Sequence, residues 1–97
     1  MKTHPVREAL RLSSGDLLCI VNGCDMLVSV QHGSLIATQE RDPDDTLVNA
    51  EAPFRLRQPG KTILAAYCDA FVLLDGRAAS VVVKRYGGPT PVVLYGE

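Results

Sequence analysis

The chain has 97 residues, 46% of them hydrophobic and only 5% aromatic, with a formal net charge of −1. This length suits one compact domain, so residues 1–97 are predicted to form a single domain. The balanced charge argues against a nucleic-acid partner or a membrane surface, and the apolar runs are far shorter than a transmembrane helix.

The first residues carry little structural signal. Residues 1–8 are polar and lack a repeating pattern, which predicts a loose N-terminal arm. The run that follows, residues 9–12, fits a short strand or the beginning of a helix, and residues 13–16 (Ser-Ser-Gly-Asp) end it. No apolar segment of the signal-peptide type follows the first charges, so a cytoplasmic protein is expected.

The cysteines agree with that compartment. They are odd in number and include no pair with the spacing of a metal site, which favours reduced thiols. We interpret all three as small apolar side chains that fill gaps. They are Cys19, Cys24 and Cys68.

Two hairpins are predicted in the first half of the chain. The dipeptide Asn22-Gly23 is typical of a tight β-turn and would join a strand at Leu17–Val21 to one at residues 26–30. A second turn at Gly33 would join that strand to another at residues 35–39. Three β-prone side chains of these strands should face the core, and we expect at least two of the three to be buried. These are Val28, Val30 and Ile36.

An acidic loop at residues 40–45, stiffened by Pro43, precedes a second group of predicted strands. Turns are predicted at residues 58–61 and at Asp75-Gly76. The strands are expected at residues 46–48, 54–57, 62–67, 70–74, 80–84 and 92–95. Turns at intervals of about 8–12 residues and β-branched runs predict an all-β sandwich or barrel, with no helix longer than about two turns.

Residues 86–97 are predicted to be a C-terminal extension. A break rich in Gly and Pro, residues 86–91, precedes an apolar strand at residues 92–95. Such a strand would leave an apolar edge uncovered, so it should fold back onto its own domain or pair with a second copy. The semi-rigid spacer favours the second arrangement and hence a homodimer.

One family resemblance emerges from the hairpin region. Residues 27–40, with the residues that follow them, resemble a cupin-like bacterial family called domain of unknown function 2917. Residues that fit its pattern are Thr38, Glu40, Asp42, Asp45, Leu47, Glu51, Phe54 and Leu56, whereas Arg41 and Ala50 stand where the family has glycine. The resemblance implies a small cupin-like jelly-roll or β-barrel of short antiparallel strands. It implies no activity.

No metal, cofactor or catalytic residue is predicted. A metal-dependent cupin would need several converging histidines and a carboxylate, whereas this chain has only His4 and His32. Calcium at the acidic loop is less favoured than a solvated turn, because Pro43 interrupts the loop and strands flank it. No serine or cysteine has the context of a catalytic nucleophile.

The expected function is that of a non-catalytic, cupin-like binding or assembly module, acting as a homodimer or with a small-molecule or protein partner. The alternative is a degenerate cupin that binds or transforms a small molecule at the barrel mouth near the acidic loop. Candidate ligand-binding residues for it are His32, Glu40, Asp42 and Asp45. A small basic edge is also predicted from Arg55, Arg57 and Lys61, with Arg85 near it.

Overall fold

The computed structural model describes residues 2–23, 25–57 and 59–96. The prediction of an all-β domain is confirmed, since none of these residues lies in a helix, and the described chain therefore contains no apolar helix that could span a membrane. The strands are β1 (His4–Leu12), β2 (Leu17–Val21), β3 (Leu27–His32), β4 (Ser34–Gln39), β5 (Thr46–Asn49), β6 (Phe54–Arg55), β7 (Lys61–Ala66), β8 (Ala70–Ala78), β9 (Ser80–Lys84) and β10 (Val92–Tyr95).

These strands form two antiparallel sheets. The four-stranded sheet has the order β1-β8-β3-β6, and the six-stranded sheet has the order β10-β9-β2-β7-β4-β5. Most successive strands belong to different sheets, so the chain crosses between the sheets at nearly every connection. The described strands do not close into a barrel, and the core lies between the two sheets.

The core follows from alternation along each strand. Inward positions are apolar and buried, as at Leu18 and Ile20 of β2, because successive side chains of a strand point to opposite faces. The largest fully buried side chains are Leu12, Leu18, Ile20, Met26, Leu35, Leu56, Leu64, Leu74, Val6, Val28, Val48 and Val72. Burial of Val28 and Val30 confirms that prediction, whereas Ile36 points outward and is half-buried.

Both predicted hairpins are wrong. β2 pairs with β7 and β9, whereas β3 pairs with β6 and β8, so the chain at Asn22-Gly23 passes from one sheet to the other. The same is true at Gly33, because β4 pairs with β5 and β7. Gly33 has a φ of +80°, and a Cβ there would clash with the carbonyl oxygen of Asp69. The glycine is needed for this close passage between the sheets.

Two further predictions are corrected. The supposed N-terminal arm is largely strand, since β1 begins at His4 and pairs with β8 along its whole length. Its proline, Pro5, is tolerated because β1 is an edge strand. Asp75-Gly76 lies inside β8 and forms no turn; a Cβ at Gly76 would lie 2.8 Å from the Cα of Met26, so close packing explains this glycine.

Other predictions fall partly outside the described residues. In the predicted turn at residues 58–61, Gln58 is not described, and Pro59 and Gly60 form a bend before β7. The prediction for Cys24 also lies outside the described residues.

The C-terminal strand folds back onto its own domain, because β10 pairs with β9 of the same chain. This is the first of the two arrangements predicted for it.

The two positions where the resembling family has glycine differ in backbone conformation. Arg41 has a φ of +69°, in the left-handed region, whereas Ala50 does not have a positive φ. A side chain in the left-handed region costs about 1–2 kcal/mol, which glycine avoids. Because glycine also increases the conformational entropy of the unfolded chain, part of this gain is lost, and Arg41→Gly should raise the free energy of unfolding by about 0.5 kcal/mol. Ala50→Gly should lower the free energy of unfolding by a similar amount. Urea denaturation measures both variants, and a change of the same sign in the two would contradict this prediction.

Candidate binding surfaces

Each strand of the six-stranded sheet contributes at least one apolar residue to its outward side, which also carries Ser34, Thr38 and Ser80. The strand register places Val93, Val82, Cys19 and Ile63 side by side, and a parallel row contains Leu17, Ala65, Ile36 and Leu47. We call these eight residues the outer apolar face. None of them is fully buried, and Leu47 and Val93, at its margins, are 54% and 51% exposed.

This face departs from the pattern of a sheet with one solvated side. Such strands alternate apolar and polar residues, but β2 reads Leu-Leu-Cys-Ile-Val and the centre of β9 is Val-Val-Val. Uninterrupted apolar runs are typical of strands that are covered on both faces. Lys61 and Lys84, the charged residues of these strands, lie at strand ends. A contiguous apolar area of this kind is characteristic of an interaction surface.

A separate cleft of about 310 Å³ lies where β1 and β3 end and β8 begins. The register places Arg11 opposite Phe71 and Phe71 opposite His32, so the three side chains form a row on the outward side of the four-stranded sheet. The guanidinium carbon of Arg11 lies 5.4 Å from the centre of the Phe71 ring, a cation–π contact. Asp69, Leu12 and Ala70 also line the cleft.

The candidate residues from the sequence are not brought together. His32 lies in this cleft, whereas Glu40 follows the far end of β4, about 20 Å away for a six-residue strand. Glu40 accepts the Lys61 N–H (3.0 Å). Asp42 accepts the Asp44 N–H, and Asp45 accepts the Thr38 hydroxyl, each at 3.0 Å. In the described chain no three His, Cys, Asp or Glu side chains are placed to hold a metal.

A buried ionic cluster was missed by the sequence analysis. Asp16 is 3% exposed, and its carboxylate accepts the N–H groups of Ser13 (2.9 Å) and Tyr86 (2.8 Å). It also pairs with Arg85 at 2.8 Å, so Arg85 is held here and not at the predicted basic edge. Burial by itself would raise the pKa of Asp16, but these three donors outweigh it and hold the pKa below its usual value.

Only the local contact of this cluster could be predicted from the sequence. An Asp that ends a Ser-Ser-Gly-Asp turn commonly accepts an N–H of its own turn, as Asp16 does from Ser13. Its ion-pair partner is 69 residues away, and no local pattern connects the two.

A second polar contact joins the two sheets at an open side of the sandwich. Tyr95 in β10 donates its hydroxyl to a carboxylate oxygen of Glu8 in β1, at 2.9 Å. This hydrogen bond raises the pKa of the Tyr95 phenol. Because β1 and β10 are each the last strand of their sheet, the contact holds two neighbouring edges together.

Comparisons of the chain with protein-family models, curated proteins and solved structures found no match.

Proposed function

We propose that the chain is a cupin-like, non-catalytic assembly module that forms a homodimer through the outer apolar face. The observation that carries the proposal is the composition of this face, where adjacent strands present apolar side chains to solvent. Covering them removes apolar surface from water, which is the main driving force of most protein association. A second copy presents the same face and satisfies the self-complementarity of a two-fold interface.

The dimensions of the domain set an upper limit on the size of this interface. Its principal axes are 33, 31 and 25 Å, and the shortest is consistent with the thickness of two sheets with their side chains. An ellipse on the two longer axes, the outline of the whole domain, covers about 800 Å², similar to what each partner contributes to a standard interface. The outer apolar face lies within this outline, so a homodimer through it has an interface of standard size or smaller.

The cupin-like part of the proposal is supported by the topology and by one backbone angle. Jelly rolls are double-sheet antiparallel folds, and this chain alternates between two antiparallel sheets at most connections. Arg41, at a position where the resembling family has glycine, adopts a φ that favours glycine.

A reducing, cytoplasmic environment suits the same proposal. Cys19 and Cys68 are free thiols, and Cys19 lies in the middle of the outer apolar face. The alternative of a small-molecule site at the acidic loop has less support, because these carboxylates already accept hydrogen bonds within the chain: Asp42 from its own loop, Glu40 from β7 and Asp45 from β4.

The dimer is tested by placing a charge in the middle of the face. Ile63→Glu should give a folded monomer at concentrations where the wild-type chain is a dimer by light scattering, because a dimer would bury two unpaired carboxylates. Leu47→Glu, at a 54%-exposed margin, provides a second variant with less risk to folding. Circular dichroism should remain that of a β-protein in both.

The matched control is Leu73→Glu, which makes the same chemical change on the outward side of the four-stranded sheet. That variant should remain a dimer. Alkylation resolved by mass spectrometry adds a second readout, in which Cys19 is protected as concentration rises while Cys68 is not. A wild-type chain that stays monomeric at high concentration, or a dimeric Ile63→Glu variant, would refute the proposal.

A further inference from the structure

We propose that the cleft at the end of the four-stranded sheet binds a free α-amino acid with an apolar side chain. The cleft lies on a different sheet from the outer apolar face, so this inference does not depend on the dimer. It rests on one cation and one carboxylate that line the same cleft, together with the Phe71 ring beside the cation.

Arg11 supplies the group that would hold the ligand carboxylate. Its guanidinium lies over the Phe71 ring and, among the described residues, forms no hydrogen bond or ion pair. Its backbone is held in place, because β1 pairs with β8 and the Arg11 carbonyl accepts a hydrogen bond from Arg85 at 2.7 Å. A guanidinium held against an aromatic ring presents a fork of donors suited to a carboxylate.

The carboxylate of Asp69 favours a zwitterionic ligand over a simple anion. It lies two residues before Phe71, about 7 Å along the strand direction, and its carboxylate has no partner among the described residues. A phosphate or a plain carboxylic acid bound to Arg11 would be repelled by this charge. An α-amino acid offers its ammonium group to Asp69 and its carboxylate to Arg11, so both side chains gain a partner.

The Phe71 ring favours an apolar side chain on the ligand. Phe71 is half-buried on the outward side of the sheet, whereas Leu12 and Ala70 alternate with Arg11 and Phe71, so their side chains face the core. A volume of about 310 Å³ is near the lower limit for small-molecule sites, which suits a single amino acid better than a peptide or a nucleotide. Because the cleft is open, we expect a dissociation constant on the order of 1 mM.

The test titrates the full chain with L-leucine at constant pH and follows the imidazole signal of His32 by NMR. His4 is the other histidine of the chain, so a His4→Gln variant assigns that signal. N-acetyl-L-leucine lacks the ammonium group and L-leucinamide lacks the carboxylate. Each should bind about tenfold more weakly than L-leucine, which corresponds to the loss of one charge-assisted contact.

Variants assign each charge to its partner. Arg11→Gln should remove the preference for L-leucine over L-leucinamide, and Asp69→Asn should remove the preference over N-acetyl-L-leucine. Arg77→Gln is the control, because Arg77 lies towards the other end of β8 and bonds to Thr3. It should bind like the wild type. Phosphate or N-acetyl-L-leucine shifting His32 as strongly as L-leucine, or no ligand shifting it, would overturn the inference.

Discussion

Leu64→Ala should lower the free energy of unfolding by about 2–5 kcal/mol. Ile63→Ala, at the neighbouring position, should lower the free energy of unfolding of the monomer by about 1 kcal/mol. The two residues are consecutive in β7, so their side chains point to opposite faces of the sheet. Leu64 is fully buried in the core and would leave a cavity, while Ile63 is half-buried on the outer apolar face.

Protein concentration separates the two effects. The loss at Leu64 should be the same at every concentration, because it arises within one chain. The loss at Ile63 should grow with concentration, because an interface contributes to stability by mass action. Urea denaturation at low and high concentration measures both. Equal, concentration-independent losses would show that Ile63 belongs to the same core as Leu64.

The sequence was sufficient for the class of fold because that class depends on local signals. β-Branched runs and closely spaced turn residues predicted an all-β domain, and the β-prone pattern correctly placed Val28 and Val30 in the core. The pairing of strands depends on which distant surfaces bury most apolar area together. The glycines at 23 and 33 indicate where the chain bends, but not whether it returns to the same sheet.

The role of Gly76 and the two interaction surfaces also depend on contacts between distant parts of the chain, which local sequence does not reveal. Gly76 has the sequence context of a turn, yet the structure explains it by the close approach of Met26, which is 50 residues away. The outer apolar face is visible in the sequence as uninterrupted runs such as β2, but such runs cannot tell a second covering layer from a core. The cleft is assembled from three strands, and only His32 was a candidate beforehand.

Asp16→Asn should lower the free energy of unfolding by about 2–4 kcal/mol at neutral pH. Hydrogen bonds to a charged group contribute about 1.5–3 kcal/mol, and removing one partner of a buried ion pair costs about 3–5 kcal/mol. The lower range applies here because the Arg85 side chain is 45% exposed and its charge is partly screened by solvent. Asp45→Asn is the control, since Asp45 is exposed and accepts one hydrogen bond from Thr38.

The difference between wild type and Asp16→Asn should also depend on pH in a defined direction. The pKa of Asp16 is lower in the folded chain than its usual value of 3.8, so the unfolded chain binds a proton more readily. The stabilisation is therefore complete well above pH 3.8 and is lost as the pH falls below that value through the lower folded pKa. Urea denaturation at neutral and acidic pH measures the effect. A difference that stays constant into strong acid would mean that packing or the neutral hydrogen bonds, and not the carboxylate charge, account for the role of Asp16.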